Sequence, residues 1–269
     1  MNFKLLCTDI DGTLLNKDRK LSALTISEIK RIHPEIPVIL ISSRMPKAMR
    51  HLQATLGIDD TPLIAYNGGL ILDGAEVIET TEINFKTMSS IVALAENTGI
   101  HLSLYHNDDW FVPKMDYWAK REQNNTQVTP TVQSLHDSLV LFKSEQKGVH
   151  KIMAMGAENE IDQLFKSAES IHNKELHLYR SKSTYIEIAN KSISKETALT
   201  KLLQHKYPEI QLDHVVAFGD NYNDIDMLKA VGAGIAVANA KQEVLIVADE
   251  ITAANIDNGV AQSIQKYFK

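Results

Sequence analysis

The apolar positions along the chain fall into two textures. From Phe3 to Thr8 the run is short and almost continuously apolar, the pattern of a strand covered on both faces, and it ends at Asp9. Apolar residues then recur at Leu21, Leu24, Ile26, Ile29 and Ile32, a helical spacing that Pro34 stops. "PVILIS" at 37–42 predicts a second buried strand. A helix opens with Pro46 in its first turn and closes at Gly57, and "PLIAY" at 62–66 predicts a third strand, stopped by "NGG". The alternation β-α-β-α-β predicts an α/β fold built on a doubly wound parallel sheet with right-handed crossovers.

After Gly69 the texture changes. "LILDGAEVIE" reads as a hairpin turning at Asp73-Gly74. From about Ile83 the spacing predicts a helix over 84–97, strands over 101–106 and 110–112, and then a polar stretch, "KREQNNTQVTPT". Strand-like "HKIMAM" precedes a helix over 157–170, and "ELHLYR" and "TYIEIA" read as adjacent strands. The βα alternation resumes only afterwards, with a helix over 194–206, the strand "HVVAFG", a helix over 222–230 and the strand "GIAVA". The chain is therefore expected to form a βα core domain from 1–82 and 189–269, interrupted by an inserted α+β domain at 83–188.

Composition narrows the partners. The formal net charge of −6 and the absence of a basic run argue against nucleic acid, whose binding needs concentrated Lys and Arg. The one cysteine, Cys7, cannot build an intramolecular disulfide framework, which suits a reducing, cytoplasmic location. Its place inside the first strand makes it a small buried hydrophobe rather than a nucleophile. Asp9 and Asp11 interrupt the N-terminal apolar run before a secretory signal could form, and no run reaches the ~18 apolar residues of a membrane-spanning helix.

In an open parallel sheet, ligands bind beyond the carboxyl ends of the strands. Those ends are where the reactive residues fall: the first strand runs into "TDIDGT", the second into "SSR", the third into "NGG" and the late strand "HVVAFG" into "DNYND". Asp9 and Asp11 flank one residue, so in extended backbone both side chains lean to the same side. Two adjacent carboxylates repel unless a cation neutralises them, so the pair calls for a metal ion. Oxygen ligands alone, with Asp220 and Asp224 as the further candidates, suit a hard ion such as Mg2+, and the ten dispersed histidines offer no competing zinc pattern.

"TDIDGTLL" also resembles the first motif, D-x-D-G-T, of the haloacid dehalogenase-like superfamily, whose members are mostly magnesium-dependent phosphatases. "LISSR" at 40–44 resembles its second motif, "SISKETAL" at 192–199 its lysine motif and "FGDNYNDIDML" at 218–228 its fourth; "YNGG" and "NGVAQSI" are similar to the Cof-type branch of sugar phosphatases. The resemblance implies a nucleophile at Asp9, a general acid and base at Asp11, and magnesium held by Asp9, the Asp11 carbonyl and Asp220, with Asp224 at or beside the metal. It further implies a phosphoryl hydrogen-bond donor at Ser42, a cation at Lys195 that keeps Asp9 ionised, and substrate contacts from Ser43, Arg44, Asn67, Gly68 and Asn223. Two positions depart from the family pattern. "SSR" stands where threonine and glycine are usual, so Ser42 and Ser43 both stay open as the donor, and Glu196 stands where glycine is common.

The implied activity is hydrolysis of a small phosphate ester through an aspartyl phosphate, with the inserted domain closing over the core and choosing the substrate. His106, Trp110, Arg180 and Tyr185 are the insert's candidates for gripping a sugar. A phosphotransferase or mutase would use the same aspartyl phosphate. A receiver-like phosphorylation switch and a nucleotide-sugar glycosyltransferase with a D-x-D metal motif fit less of the pattern.

Overall fold

In the computed structural model, which describes residues 3–269, the chain divides into two compact units, 1–80 with 194–269 and 81–193. The division falls after 80 and after 193, where the sequence pattern placed it after 82 and 188. Ile83 bridges to Val149 and Asn190 Nδ2 donates to the Glu82 carbonyl at 2.9 Å, so the residues at both junctions are tied into the insert's own hydrogen bonding.

The first unit begins with β1 (Leu5–Thr8), α1 (Ala23–Ile32), β2 (Val38–Ile41), α2 (Lys47–Leu56), β3 (Leu63–Ala65) and the antiparallel pair β4 (Leu70–Asp73) and β5 (Glu76–Thr80). Every residue of β1, β2 and β3 is buried, which is why these strands read as unbroken apolar runs. The helix expected from Leu21 starts two residues later, because the Ser22 hydroxyl accepts from the Thr25 amide and sets the N-cap. α2 ends where predicted, with Gly57 in the left-handed conformation at its C-cap.

The second unit contains α3 (Phe85–Ala95), β6 (His101–His106), β7 (Asp109–Val112), α4 (Tyr117–Thr126), β8 (Thr131–Val132), α5 (Leu135–Ser144), β9 (Lys151–Met155), α6 (Glu158–His172), β10 (Leu176–Lys182) and β11 (Tyr185–Asn190). Its six-stranded sheet, in the order β10-β11-β9-β6-β7-β8, is antiparallel apart from the β7/β8 pair. Its apolar core gathers Leu102, Leu104, Ile152, Ala154, Ile186 and Ile188 from the sheet with Met88, Ile91, Phe142, Ile161 and Leu164 from the helices. The polar stretch "KREQNN" proves to be α4. The Asp116 carboxylate caps it by accepting from the Trp118 and Ala119 amides, and it buries only Ala119 and Thr126, so no apolar stripe announced it.

The chain then resumes the first unit with α7 (Lys195–Lys206), β12 (Val215–Gly219), α8 (Ile225–Ala230), β13 (Ala233–Val237), α9 (Gln242–Val247), β14 (Glu250–Thr252) and α10 (Gly259–Tyr267). The eight-stranded sheet runs β14-β13-β12-β1-β2-β3-β4-β5 and is parallel from β14 to β3. β1 lies at its centre, with Leu5 opposite Val215 and Leu6 opposite Val38. The α/β class and the parallel sheet are thus as the periodicity predicts, and the carboxyl ends of β1, β2, β3 and β12 open on one edge. No helix among the described residues is long and apolar enough to cross a membrane.

Candidate active site

Four strand ends supply the site. Asp9 follows β1, Ser42 follows β2, Asn67 follows β3 and Asp220 follows β12, while Lys195 enters from the first turn of α7. Lys195 is fully buried, and its Nζ donates to Asp9 Oδ1 at 2.5 Å and to Asp224 Oδ1 at 2.6 Å. Burial pulls the lysine's pKa down, but Asp224 and Asp9 together outweigh it and the net direction is up, so the ammonium keeps its proton. A Ser194–Thr197 capping box fixes the start of α7. Gly68, in left-handed backbone at φ +106°, lets the neighbouring chain pass beneath that start: a Cβ there would sit 2.7 Å from the Ser194 carbonyl oxygen and from Ala198 Cβ. The close approach permitted by Gly68 is therefore to the helix that carries Lys195.

Asp9, Asp220 and Asp224 each offer a carboxylate oxygen within 4.8 Å of the others. Asp224 is fully buried and heavily engaged, for its Oδ2 accepts from the Asp220 amide at 2.9 Å and the Asn221 amide at 3.0 Å while Oδ1 takes Lys195. It braces the loop that presents Asp220. Asp220 itself accepts from the Thr13 hydroxyl at 3.2 Å, and Gly12, at φ +86°, passes so close that a Cβ would meet Asp220 Oδ2 at 2.3 Å. Thr13, which the sequence reading did not single out, is thus a neighbour of the acidic cluster. Asn239 and Asn255 likewise hold the 10–15 turn, by donating to the Gly12 and Leu15 carbonyls.

The electrostatics of this cluster are unbalanced. Burial pushes the Asp9 carboxyl up, Lys195 pulls against it, and Asp224 and Asp220 add to the rise. Burial and then Asp224 push Asp220 up to about 7, against the relief from Lys195 and Thr13. Three carboxylates share one ammonium, and the residue of negative charge fits a divalent cation with oxygen ligands. The donor set of the acidic cluster therefore fits magnesium. Cys7 lies behind the site, fully buried, and burial pushes its thiol up, so it remains protonated.

Asp11 takes a different partner. Arg44, a predicted substrate contact, donates from Nε to Asp11 Oδ2 at 2.7 Å and from Nη2 to Asp11 Oδ1 at 2.8 Å, and Arg19 adds a third bond to Oδ1 at 3.1 Å. Ser42 is buried, and its hydroxyl accepts from the Arg44 amide at 3.2 Å; Ser43 is half-buried. The Asn67 amide donates to the Ser42 carbonyl at 2.8 Å, and Asn223 Nδ2 donates to Asn67 Oδ1 at 2.9 Å, linking the ends of β2, β3 and β12. Asn67 occupies left-handed backbone at φ +57°, a conformation asparagine tolerates better than most residues.

In the insert, Trp110 is buried and stacked on Tyr105 with centroids 5.7 Å apart, and Arg180 pairs with Asp162 at 2.5 Å. His106, Glu82 and His150 form a second group with ligand-type atoms within 4.8 Å of one another. Three of their four ring nitrogens face hydrogen-bonding partners: His106 Nδ1 faces the Gly148 carbonyl at 3.1 Å, Asn107 Nδ2 meets His106 Nε2 at 3.1 Å, and the Asn107 backbone amide donates to His150 Nδ1 at 3.2 Å. This is hydrogen-bonded packing around the 106–107 turn.

Residues 6–264 match the model of a family described as haloacid dehalogenase-like hydrolases. The chain is 30% identical over 274 residues to a Haemophilus influenzae protein named provisionally as a phosphatase, covering 100% of this chain and 99% of that one. It is also 30% identical over 288 residues to the Bacillus subtilis 5-amino-6-(5-phospho-D-ribitylamino)uracil phosphatase YwtE, covering 98% and 97% of the two chains. A crystal structure of a haloacid dehalogenase-like hydrolase from Bacteroides thetaiotaomicron shares the fold, with a TM-score of 0.90 at 23% identity over 99% of this chain and 100% of that one. The chain belongs to the haloacid dehalogenase-like hydrolase family. Within that family it is an enzyme of the phosphatase class.

Proposed function

We propose that the protein is a magnesium-dependent phosphomonoesterase of small phosphorylated metabolites, sugar phosphates foremost, which carries the phosphoryl group transiently on Asp9. The observation that carries this reading is the convergence of Asp9, Asp220 and Asp224 around the buried Lys195 ammonium. Lys195 pulls the Asp9 carboxyl toward its ionised form, against burial and the neighbouring Asp224 and Asp220, and holds Oδ1 in place, as a carboxylate that must act as a nucleophile requires. A carboxylate oxygen of Asp9 attacks phosphorus and the bond to the ester oxygen breaks, with Asp11 giving its proton to the departing alkoxide. Asp11 then takes a proton from water, the water oxygen bonds to phosphorus, and the bond to Asp9 breaks to release phosphate.

Asp9, Asp220 and the Asp11 carbonyl would hold the magnesium ion, which when bound supplies neutralisation of the phosphoryl charge. Asp224 acts from behind, by bracing Lys195 and the Asp220 loop. Ser42 or Ser43, with Asn67 and Asn223, lines the phosphoryl side, and Gly68 serves by seating the lysine helix. The inserted unit at 81–193 is the part of the chain that sets the choice of substrate. The sugar-phosphate preference gains support from YwtE, whose named substrate carries its phosphate on a ribityl chain, a polyol like an open sugar. The family's small-metabolite chemistry and the lone cysteine support a cytoplasmic setting with neither nucleic acid nor membrane as partner.

The test is a screen of phosphorylated metabolites for phosphate release. Magnesium-dependent release from sugar phosphates, abolished by chelator and by Asp9→Asn, is expected. Release that persists in Asp9→Asn would overturn the nucleophile assignment.

A further inference from the structure

The strands of the insert turn their side chains to two sides. Leu104, Ile152 and Ile188 belong to the apolar core shared with α3, α5 and α6. The residues that alternate with them point the other way, and the register sets them side by side: Trp110 with Tyr105, Tyr105 with Lys151, and Met153 with Glu187. Of the four residues expected from the sequence to grip a sugar, two lie on the helix side. His106 meets Phe142 with ring centroids 6.0 Å apart, and Arg180 sits over the Phe165 ring of α6 at 5.9 Å. Trp110 and Tyr185 share the other side with Lys151 and Glu187.

That other side is where charge is buried. Lys151 is only 4% exposed, its Nζ lies 4.7 Å from the centre of the Tyr105 ring, and Glu187 Oε2 stands 3.9 Å from it. The Tyr105 hydroxyl donates to Met153 Sδ at 3.7 Å, so the ring that supports the ammonium is itself held. The Trp110 indole Nε1 is buried and meets no acceptor among the described residues. A sheet face built for stability alone would carry apolar side chains here, because a buried ammonium and an unmatched indole donor both cost solvation. The composition of this face points to a ligand.

The chemistry of the pair narrows that ligand. At 3.9 Å the two head groups are beyond the ~2.7–2.9 Å of a direct charge-assisted hydrogen bond. An ammonium only donates and a carboxylate only accepts, whereas each hydroxyl of a sugar does both. Two adjacent hydroxyls therefore match the pair, one accepting from Lys151 and its neighbour donating to Glu187. A second phosphate or a carboxylate would be repelled by Glu187, and an alkyl chain would offer neither donor nor acceptor.

We propose that Lys151 and Glu187 are specificity-determining residues that read adjacent hydroxyl groups on the leaving group of the substrate, with Tyr105 as the support that places the ammonium. The claim rests on the phosphatase reading, in which the insert sets the choice of substrate. It predicts a selectivity between esters that a purely structural ion pair lacks.

The experiment measures kcat/KM of wild type, Lys151→Met, Glu187→Met and Glu187→Gln with magnesium on ribitol 5-phosphate, glucose 6-phosphate, n-pentyl phosphate, which lacks the hydroxyls, and p-nitrophenyl phosphate. Wild type should favour at least one polyol ester over n-pentyl phosphate by about 10²-fold or more. Each Met variant should lose about 10–10²-fold on that polyol ester and less than about threefold on the two esters without hydroxyls. Glu187→Gln should recover part of the loss, since its amide oxygen still accepts. The Glu187 side chain is 15% exposed, so its variants disturb folding least and test the claim even where Lys151→Met fails to fold. Equal losses on all esters in the Glu187 variants, no loss on the polyol ester, or a wild type that acts on p-nitrophenyl phosphate without preferring a polyol ester would overturn the assignment while the phosphatase reading stands. Wild type releasing phosphate from none of the four would overturn that reading and the assignment with it.

Discussion

Lys195 Nζ lies 2.5 Å from Asp9 Oδ1, across 186 positions of sequence, with the lysine fully buried and the aspartate nearly so. A buried ion pair of this kind contributes little net stability when intact, but removing one partner strands the other. Lys195→Met should therefore destabilise the protein by roughly 3–5 kcal/mol at neutral pH and lower phosphate release by about 10²–10³-fold. Urea unfolding, followed in parallel with activity, checks both. Native-like stability in Lys195→Met would contradict the pairing of the buried Asp9 and Asp224 carboxyls with the ammonium as a source of stability.

Asp220, pushed up to about 7 mainly by burial and next by Asp224, makes metal binding and pH interdependent. A carboxyl whose folded pKa is raised stabilises the fold most fully below its ordinary value of 3.8, and that contribution disappears as pH rises through about 7. Chelator-treated protein should thus lose thermal stability over that window. Magnesium, competing with the proton, should raise the melting temperature more at about pH 8 than at about pH 5. A magnesium shift of the same size at both pH values would contradict the assignment of Asp220 as a ligand.

Gly12 tests the packing of the cluster independently. Alanine there would place a Cβ 2.3 Å from Asp220 Oδ2 and force a side chain into backbone at φ +86°. Gly12→Ala should cost about 1–3 kcal/mol of stability and weaken magnesium binding, measurable by calorimetric titration. Unchanged metal affinity would show that Asp220 does not need its present position.

His150 sets an acid limit on the insert. Its pKa is lowered to about 3, chiefly by burial and secondarily by His106, so the stability it confers is present above its ordinary value of 6.5 and is lost as pH falls toward 3. Trp110 and Trp118 are the only tryptophans and both lie in the 81–193 unit, so their fluorescence reports that unit alone. The urea midpoint seen by fluorescence should fall between pH values of about 7 and 4, and fall less in His150→Gln. Identical pH dependence in the variant would shift the acid sensitivity to another group.

What could be read beforehand follows from how burial writes itself into sequence. β1, β2 and β12 are covered on both faces, and their unbroken apolar runs made the sheet and its carboxyl-end residues legible. α4 was hidden because a helix with two buried positions leaves no stripe, and α5, α9, β14 and α10 also escaped the reading. Asp9, Asp220, Asp224 and Lys195 were findable as strand-end and helix-start residues. The Arg44–Asp11 pair was not, since spacing places a side chain at an edge without fixing which neighbour its donors reach. Thr13 and Arg19 were missed for the same reason, and Gly68 took a partner, the start of α7, that no local pattern encodes.

The most direct test is to quench the enzyme in acid during turnover of a phosphorylated sugar with magnesium and to locate the phosphoryl group by peptide mass spectrometry. The account predicts a phosphorylated peptide containing Asp9, absent from Asp9→Asn. Steady turnover with the phosphoryl group found on another residue, or Asp9→Asn hydrolysing the ester at the wild-type rate, would contradict it.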